Sequence, residues 1–207
     1  RVEMKELIPH LGELLSVVLV SIAILGFSKI KEWLKVKEKG MDTGQVDYNN
    51  RIHDILVETR TLFDADRAKL FQFKNGSHYA SGSSEQKLSL THVVCAPGIA
   101  NPIGLETYLM DVRVSFLTSF LSEIVEKGHV IVDIDDIDSK FENHSDIVFI
   151  RQLFTQSGTK CFLASGIRAG KNKLLGIVFV TWRQCRRIHS PAPILAKCEE
   201  LSANLLN

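Results

Sequence analysis

Apolar residues follow two different spacings along residues 45–207. A spacing of three to four residues, as in Ile52, Ile55 and Leu56, is typical of an amphipathic helix, whereas short apolar runs bounded by turn residues indicate strands. The patterns predict helices over Tyr48–Asp66, Leu117–Val125 and Ser145–Phe154, and a last helix that starts at Ser190-Pro191. They predict strands over Arg67–Lys74, Leu88–Cys95, His129–Val132, Lys160–Ile167 and Leu174–Trp182. This order of elements indicates an α+β domain with a mostly antiparallel sheet.

A polar segment, Ser77–Gln86, separates the first two predicted strands, and the turn signal Asn75-Gly76 precedes it. Loops of this kind often carry binding residues, because the strands hold their ends in place. The predicted ligand-binding residues are Phe73, His78, Tyr79 and Thr91. A flexible hairpin loop without a ligand is the alternative interpretation.

The amino-terminal segment has a different pattern, because Leu14–Ser28 contains no charged residue and is apolar on all sides. As a helix this run is about 22 Å long, and it spans about 30 Å of hydrocarbon only if the preceding residues 7–13 also enter the bilayer. We predict one transmembrane helix here, with a buried helix of a soluble protein as the alternative. The predicted organisation is a membrane anchor with a basic connector over residues 1–40, a linker over 41–47 and a domain over 48–207.

The charges indicate an orientation for this anchor. The whole chain has a net charge of +1, but residues 1–40 carry seven basic and five acidic side chains, and five of the basic ones are lysines between Lys29 and Lys39. Basic residues are enriched on the cytoplasmic side of membrane helices, so we expect a single-pass membrane protein with its soluble domain in the cytoplasm. A net charge so close to zero, together with the lack of a DNA-recognition helix and of exposed aromatic residues between basic ones, excludes a nucleic-acid partner.

The segment from Asp64 to Phe73 (DADRAKLFQF), together with the later hairpin CFLASGI and LLGIVFV and a closing helix, resembles the GAF domain family. The resemblance covers about residues 48–206. It implies a five- or six-stranded antiparallel sheet with flanking helices, a frequent pocket for a small ligand, and dimerisation through the first and last helices. On this basis we expect a membrane-anchored, non-enzymatic sensor or regulatory domain that binds a small molecule or a partner protein.

The order of the segments is also similar to the T-type holins of large tailed phages: a short arm, one membrane helix, and a soluble domain that ends in Trp182-Arg183 and a helix bearing Cys198. This resemblance implies a periplasmic domain that binds an antiholin, and a disulfide between Cys161 and Cys198. It gives the alternative function, a lysis protein with a regulatory soluble domain.

Motifs for catalysis or metal binding are absent from the sequence. The four cysteines have no CxxC spacing, and a cytoplasmic domain would keep them reduced. The acidic run Asp133–Asp138 lacks the glycine and glutamate of an EF-hand loop and is typical of a solvated loop. We therefore predict no enzyme activity, no metal and no cofactor, with the lipid bilayer, a second copy of the chain, and a small ligand or regulatory protein as partners.

Overall fold

The computed structural model describes residues 43–78, 84–100, 109–141, 145–171, 173–186, 188 and 190–206. The chain divides into two units, Arg1–Val46 and Asp47–Asn207, and the second unit carries the whole sheet. The predicted anchor over residues 1–40 lies outside the described residues and stays a prediction. Among the helices that the structure does describe, none combines the length and apolarity needed to cross a bilayer.

The described helices and strands include those expected from the sequence, in the same order. The helices are α1 (Thr43–Leu62), α2 (Thr118–Lys127), α3 (Ile137–Lys140), α4 (Ser145–Gln156) and α5 (Ala192–Leu206), with a 3₁₀ turn at Val114–Phe116. The strands are β1 (Arg67–His78), β2 (Ser84–Cys95), β3 (Val112–Arg113), β4 (His129–Asp133), β5 (Cys161–Ala169) and β6 (Lys173–Trp182).

All neighbouring strands pair antiparallel in one six-stranded sheet of order β3-β2-β1-β6-β5-β4. Two hairpins, β1–β2 and β5–β6, form its centre, and β1 pairs with β6 from Arg67↔Thr181 to Gln72↔Gly176. The predicted α+β fold with an antiparallel sheet and flanking helices is therefore confirmed.

Alternate residues of each strand supply two separate cores, one on each face of the sheet. On one face, α1 and α5 pack over residues such as Leu70, Leu163 and Val180. On the other face, α2, α3 and α4 pack over an aromatic group that includes Phe162 and Phe179. Because β5 and β6 are covered on both sides, they are apolar almost throughout, which is why the sequence marks them clearly.

Several element boundaries differ from the prediction. Strand β1 continues through Asn75-Gly76 to His78, because pairing with β2 extends to Asn75↔Gln86 and His78↔Ser84 and outweighs the local turn signal. Helix α1 begins at Thr43 instead of Tyr48 and ends at Leu62, so residues 43–47 of the predicted linker are helical. The two-residue strand β3 and the four-residue helix α3 are too short to produce a periodic pattern.

Gly176 occupies a position where only glycine fits without movement of the main chain. A Cβ atom added there would overlap the carbonyl oxygen of Phe71 on the neighbouring strand. We expect Gly176→Ala to lower the free energy of unfolding by about 1–3 kcal/mol, the usual cost of overpacking, as measured by urea denaturation. Gly166→Ala is the comparison, since its new Cβ would come closest to side-chain atoms of Leu174 and Ile124 and not to the main chain. An equal or larger loss in Gly166→Ala would contradict this explanation.

Candidate functional site

A cavity of about 600 Å³ lies where the β1–β2 hairpin, the start of β6, the 3₁₀ turn and α2 meet. Six of the lining residues are apolar and four are polar. The apolar ones are Phe73, Val114, Leu121, Val125, Leu174 and Leu175, and the polar ones are Lys74, Asn75, Gln86 and Lys173. The volume lies within the roughly 300–1,000 Å³ range of small-molecule sites, and an apolar lining with a few polar groups is their usual composition.

The charged groups of this cavity are both cationic. Lys74 forms an ion pair with Asp111, whose left-handed backbone (φ 65°) is held by a hydrogen bond from its amide to Ser89 Oγ at 3.0 Å. The hydrogen bond from Lys74 is the main cause that lowers the pKa of the Asp111 carboxyl. Lys173, on the β6 side, is exposed, and none of the described lining residues is acidic. Since the Lys74–Asp111 pair is neutral as a whole, Lys173 is the lining residue whose charge would suit a ligand with negative charge.

Of the four residues predicted to bind a ligand, the structure places Phe73 and Thr91 apart. Phe73 lines the cavity, and His78 is the last residue of β1, where it pairs with Ser84. Thr91 is exposed at the irregular register of β2, where its hydroxyl donates to the carbonyl oxygen of Leu70 at 3.3 Å, and it is not among the lining residues. Tyr79 lies outside the described residues. The described lining of the cavity thus includes the predicted residue Phe73 and not Thr91. The predicted ligand-binding roles of His78 and Tyr79 stay predictions.

Sequence reasoning missed the residues that come from distant segments. Leu121 and Val125 belong to a predicted helical stripe, which indicated core packing, yet Val125 is 54% exposed at the cavity. Lys173 lies in the sequence just before the predicted strand Leu174–Trp182, and nothing in the local pattern relates it to Phe73. The sheet order, which places β6 beside β1, brings Lys173 next to Phe73, and the packing of α2 on the sheet brings Leu121 and Val125 there.

A second, much smaller cavity of about 30 Å³ lies inside the aromatic core between the sheet and α4. Phe71, Phe154 and Phe179 are among its lining residues, and no polar side chain lines it. A volume of this size corresponds to about one water molecule. The centre of this face is therefore packed core.

Two cationic side chains are buried next to each other on β1, on the side of the aromatic core. Arg67 is 4% exposed and donates hydrogen bonds to the carbonyl oxygens of Ser157 and Ala100 at 3.2 and 3.1 Å, but its Nε has no partner. Lys69, two residues further along the strand, is 3% exposed. Burial, followed by the charge of Arg67, lowers the pKa of Lys69 to about 8.

The cysteines pair differently from the expectation drawn from the holin resemblance. Cys161 forms a disulfide with Cys185, not with Cys198, across a Cα–Cα distance of 5.2 Å. Cys161 pairs with Trp182 in the sheet, so the chain that leaves β6 carries Cys185 back toward it. Cys198 is a buried free cysteine on the inner side of α5, and burial raises the pKa of its thiol to about 11. The Cys161–Cys198 bond that the holin resemblance implies is therefore not formed.

The sequence matches no known protein-family profile and no curated protein. The fold is similar to many solved structures. The GAF domain of a two-component sensor histidine kinase from Bacillus halodurans is 15% identical, with 77% of this chain and 93% of that chain covered and a TM-score of 0.52. A far-red cyanobacteriochrome photoreceptor is 15% identical, with 88% and 97% covered and a TM-score of 0.54.

A third similar structure is the blue-light-absorbing form of the PixJ GAF domain of Thermosynechococcus elongatus, which is 14% identical, with 81% of this chain and 88% of that chain covered and a TM-score of 0.51. Identities this low establish a shared fold and leave the ligand open. The chain therefore has a GAF-like fold, as the DADRAKLFQF segment and the β5–β6 hairpin predicted.

Proposed function

We propose that this protein is a membrane-anchored regulatory module that binds a small acidic molecule in the cavity beside α2. The observation that carries the proposal is the combination of an apolar lining with the exposed Lys173 and with Lys74, which is already paired with Asp111, while no described lining residue is acidic. The fold is also that of domains from a sensor kinase and from photoreceptors. Such a ligand would regulate the protein by favouring one of its conformational or oligomeric states over another.

The site can be tested by placing a large side chain at its edge. We expect Val125→Trp to abolish ligand binding, because Val125 lies on α2 and lines the cavity, whereas its partial exposure lets the larger ring be accommodated without unfolding. Binding is measured on the full chain in detergent, as the rise in melting temperature caused by a panel of small carboxylates and phosphomonoesters. A ligand at about 100 times its Kd adds about 2.7 kcal/mol to the free energy of unfolding.

Val148→Trp is the matched control, since Val148 is 61% exposed on α4 and does not line this cavity. Lys173→Gln tests the charge, with Lys171→Gln, at the exposed turn of the same hairpin, as its control. The proposal fails if the acidic panel stabilises the Val125→Trp protein as much as the natural one. It also fails if uncharged analogues of the same molecules bind equally well.

The lysis protein remains a second candidate because one observation favours it. Disulfides such as Cys161–Cys185 are formed mainly outside the cytoplasm, whereas the lysines of residues 29–39 favour a cytoplasmic domain. Thiol labelling of intact cells, with a cysteine introduced in place of the exposed Lys171, distinguishes the two locations. Labelling from outside, together with abrupt lysis on expression, would favour the lysis protein and overturn the first proposal.

A further inference from the structure

Three side chains with metal-binding atoms meet at the end of the sheet formed by β4 and β5. The Sγ atoms of Cys161 and Cys185 and a carboxylate oxygen of Asp133 all lie within 4.8 Å of one another. Asp133 and Cys161 are direct partners in the sheet, so two of the three positions are fixed by main-chain pairing. We propose that, when the Cys161–Cys185 bond is reduced, these three residues bind a Zn²⁺ ion.

The spacing of the atoms suits zinc. Zinc binds thiolate sulfur at about 2.3 Å and carboxylate oxygen at about 2.1 Å, which places tetrahedral sulfur and oxygen ligands about 3.6 Å apart. The observed distance from Asp133 Oδ2 to Cys185 Sγ is 3.3 Å. Reduction frees the two sulfurs to separate to about 3.8 Å, the value for two thiolates on one zinc ion. Cys185 lies outside the strands and is exposed, so it can make this movement.

The carboxylate of Asp133 is already oriented toward the sulfur. Its Oδ1 accepts a hydrogen bond from the backbone N–H of Asp135 at 3.0 Å, which leaves Oδ2 directed at Cys185. In the disulfide, Cys185 Sγ carries no proton that could be donated to this oxygen. A metal ion bound between Asp133 Oδ2 and Cys185 Sγ would be a partner for both atoms. The hydrogen bond from the Asp135 N–H to Oδ1 would then orient the Asp133 carboxylate as a metal ligand.

The surroundings allow a cation to bind and to exchange. The nearby cationic side chains already have carboxylate partners, since Lys160 lies 3.4 Å from Asp135 and Arg183 contacts Asp66. Cys161 is buried, Asp133 is half-buried and Cys185 is exposed, so the ion would be reached from the Cys185 side. With three protein ligands, the fourth position of the zinc would be taken by water.

The site would respond to the redox state of its compartment. A phosphine and water reduce the disulfide to two thiols and yield the phosphine oxide, and zinc binding then displaces two protons from these thiols. In the reverse direction, an external disulfide compound takes two electrons from the two thiolates and is reduced to two thiols with uptake of two protons, so the Cys161–Cys185 bond forms and the ion is released. We expect the reduced, zinc-binding form if the domain lies in the cytoplasm, and the disulfide form if it lies in an oxidising compartment.

The proposal is tested on the full chain in detergent, before and after reduction with a phosphine. Zn²⁺ affinity is measured by competition with a chromophoric chelator, and Co²⁺ is used as a second probe because thiolate ligation produces a charge-transfer absorption. We expect one zinc ion per reduced chain and none per oxidised chain. We expect Cys185→Ser to weaken binding at least 100-fold, and Asp133→Asn to weaken it about 10–100-fold.

Cys95→Ser and Cys198→Ser are the matched controls, because both cysteines are free and lie outside the cluster. The Asp133→Asn protein keeps both cysteines, so its oxidised form shows whether it folds like the natural chain. The proposal is overturned if the reduced protein does not compete for zinc, or if Cys185→Ser or Asp133→Asn binds as tightly as the natural chain. It is also overturned if the two control variants lose zinc to the same extent. The ligand cavity beside α2 contains none of these residues, so failure here leaves the proposed function untouched.

Discussion

Replacing Phe162 with alanine is expected to lower the free energy of unfolding by about 3–5 kcal/mol, the usual cost of truncating a buried phenylalanine. Phe162 is fully buried on β5, and its ring stacks on Phe154 of α4 with a centroid distance of 4.3 Å. It also contacts Phe120 of α2 at 5.9 Å and Phe179 of β6 at 5.6 Å. One ring therefore joins two strands to two helices, and its loss would leave a cavity that none of these elements can close alone.

Phe116→Ala is the control for this prediction. Phe116 is 49% exposed, and its one described ring contact is with Phe149 at 5.9 Å. We expect it to lose less than about 1 kcal/mol, as is usual for surface positions. The measurement is urea denaturation followed by circular dichroism. An unchanged slope of the free energy of unfolding against urea concentration is the evidence that both variants unfold in one step. Equal losses in the two variants would show that the aromatic core does not hold the two helices on the sheet.

The sequence was most informative where local pattern and tertiary packing agree. The apolar runs of β5 and β6 are buried on both faces, and α2 ends at Gly128, whose left-handed backbone (φ 80°) caps the helix where the apolar stripe stops. The Asn75-Gly76 signal was misleading, because pairing of β1 with β2 continues through it. A local turn preference is worth little against several cross-strand pairs that form together.

The candidate sites depended on contacts that no local pattern contains. Phe73 could be predicted because it lies in a strand beside a polar loop, but Lys173 joins it only through the pairing of β1 with β6. The same holds for the cysteines, since four cysteines allow several pairings and spacing does not choose among them. Cys185 was the least conspicuous of the four in the sequence, and its partner is set by the place where β6 ends beside Cys161.

Replacing Lys69 with methionine is expected to stabilise the protein at pH 7 by about 3 kcal/mol. The pKa of Lys69 is lowered from 10.5 to about 8 in the folded protein, chiefly by burial and then by the charge of Arg67. Each unit of pKa corresponds to about 1.4 kcal/mol, so the folded state is penalised by that amount whenever Lys69 is protonated in both states. Methionine has a similar length and no charge, and therefore removes the penalty while it keeps the contacts of the alkyl chain.

The pH dependence identifies the origin of this effect. Between pH 8 and pH 10.5 the unfolded chain binds more protons at Lys69 than the folded chain does, so this residue makes the free energy of unfolding rise with pH. Below pH 8 its contribution is constant and unfavourable. Cys198 acts in the opposite direction, because its raised pKa makes the folded state less stable as the pH rises from 9 to 11. The difference between the natural protein and Lys69→Met cancels the contribution of Cys198 and isolates that of Lys69.

Urea denaturation at several pH values from 7 to 10.5 tests the prediction, with Lys171→Met at the exposed hairpin turn as the control. The stability advantage of Lys69→Met should shrink steadily from about 3 kcal/mol toward zero across the range from pH 8 to pH 10.5, whereas Lys171→Met should follow the natural protein at every pH. A constant difference would mean that methionine improves packing and that charge burial is not the cause. No difference at pH 7 would mean that the ammonium group reaches water or a counter-ion in the folded protein, because only such a partner can offset the cost of burying two adjacent cations on β1.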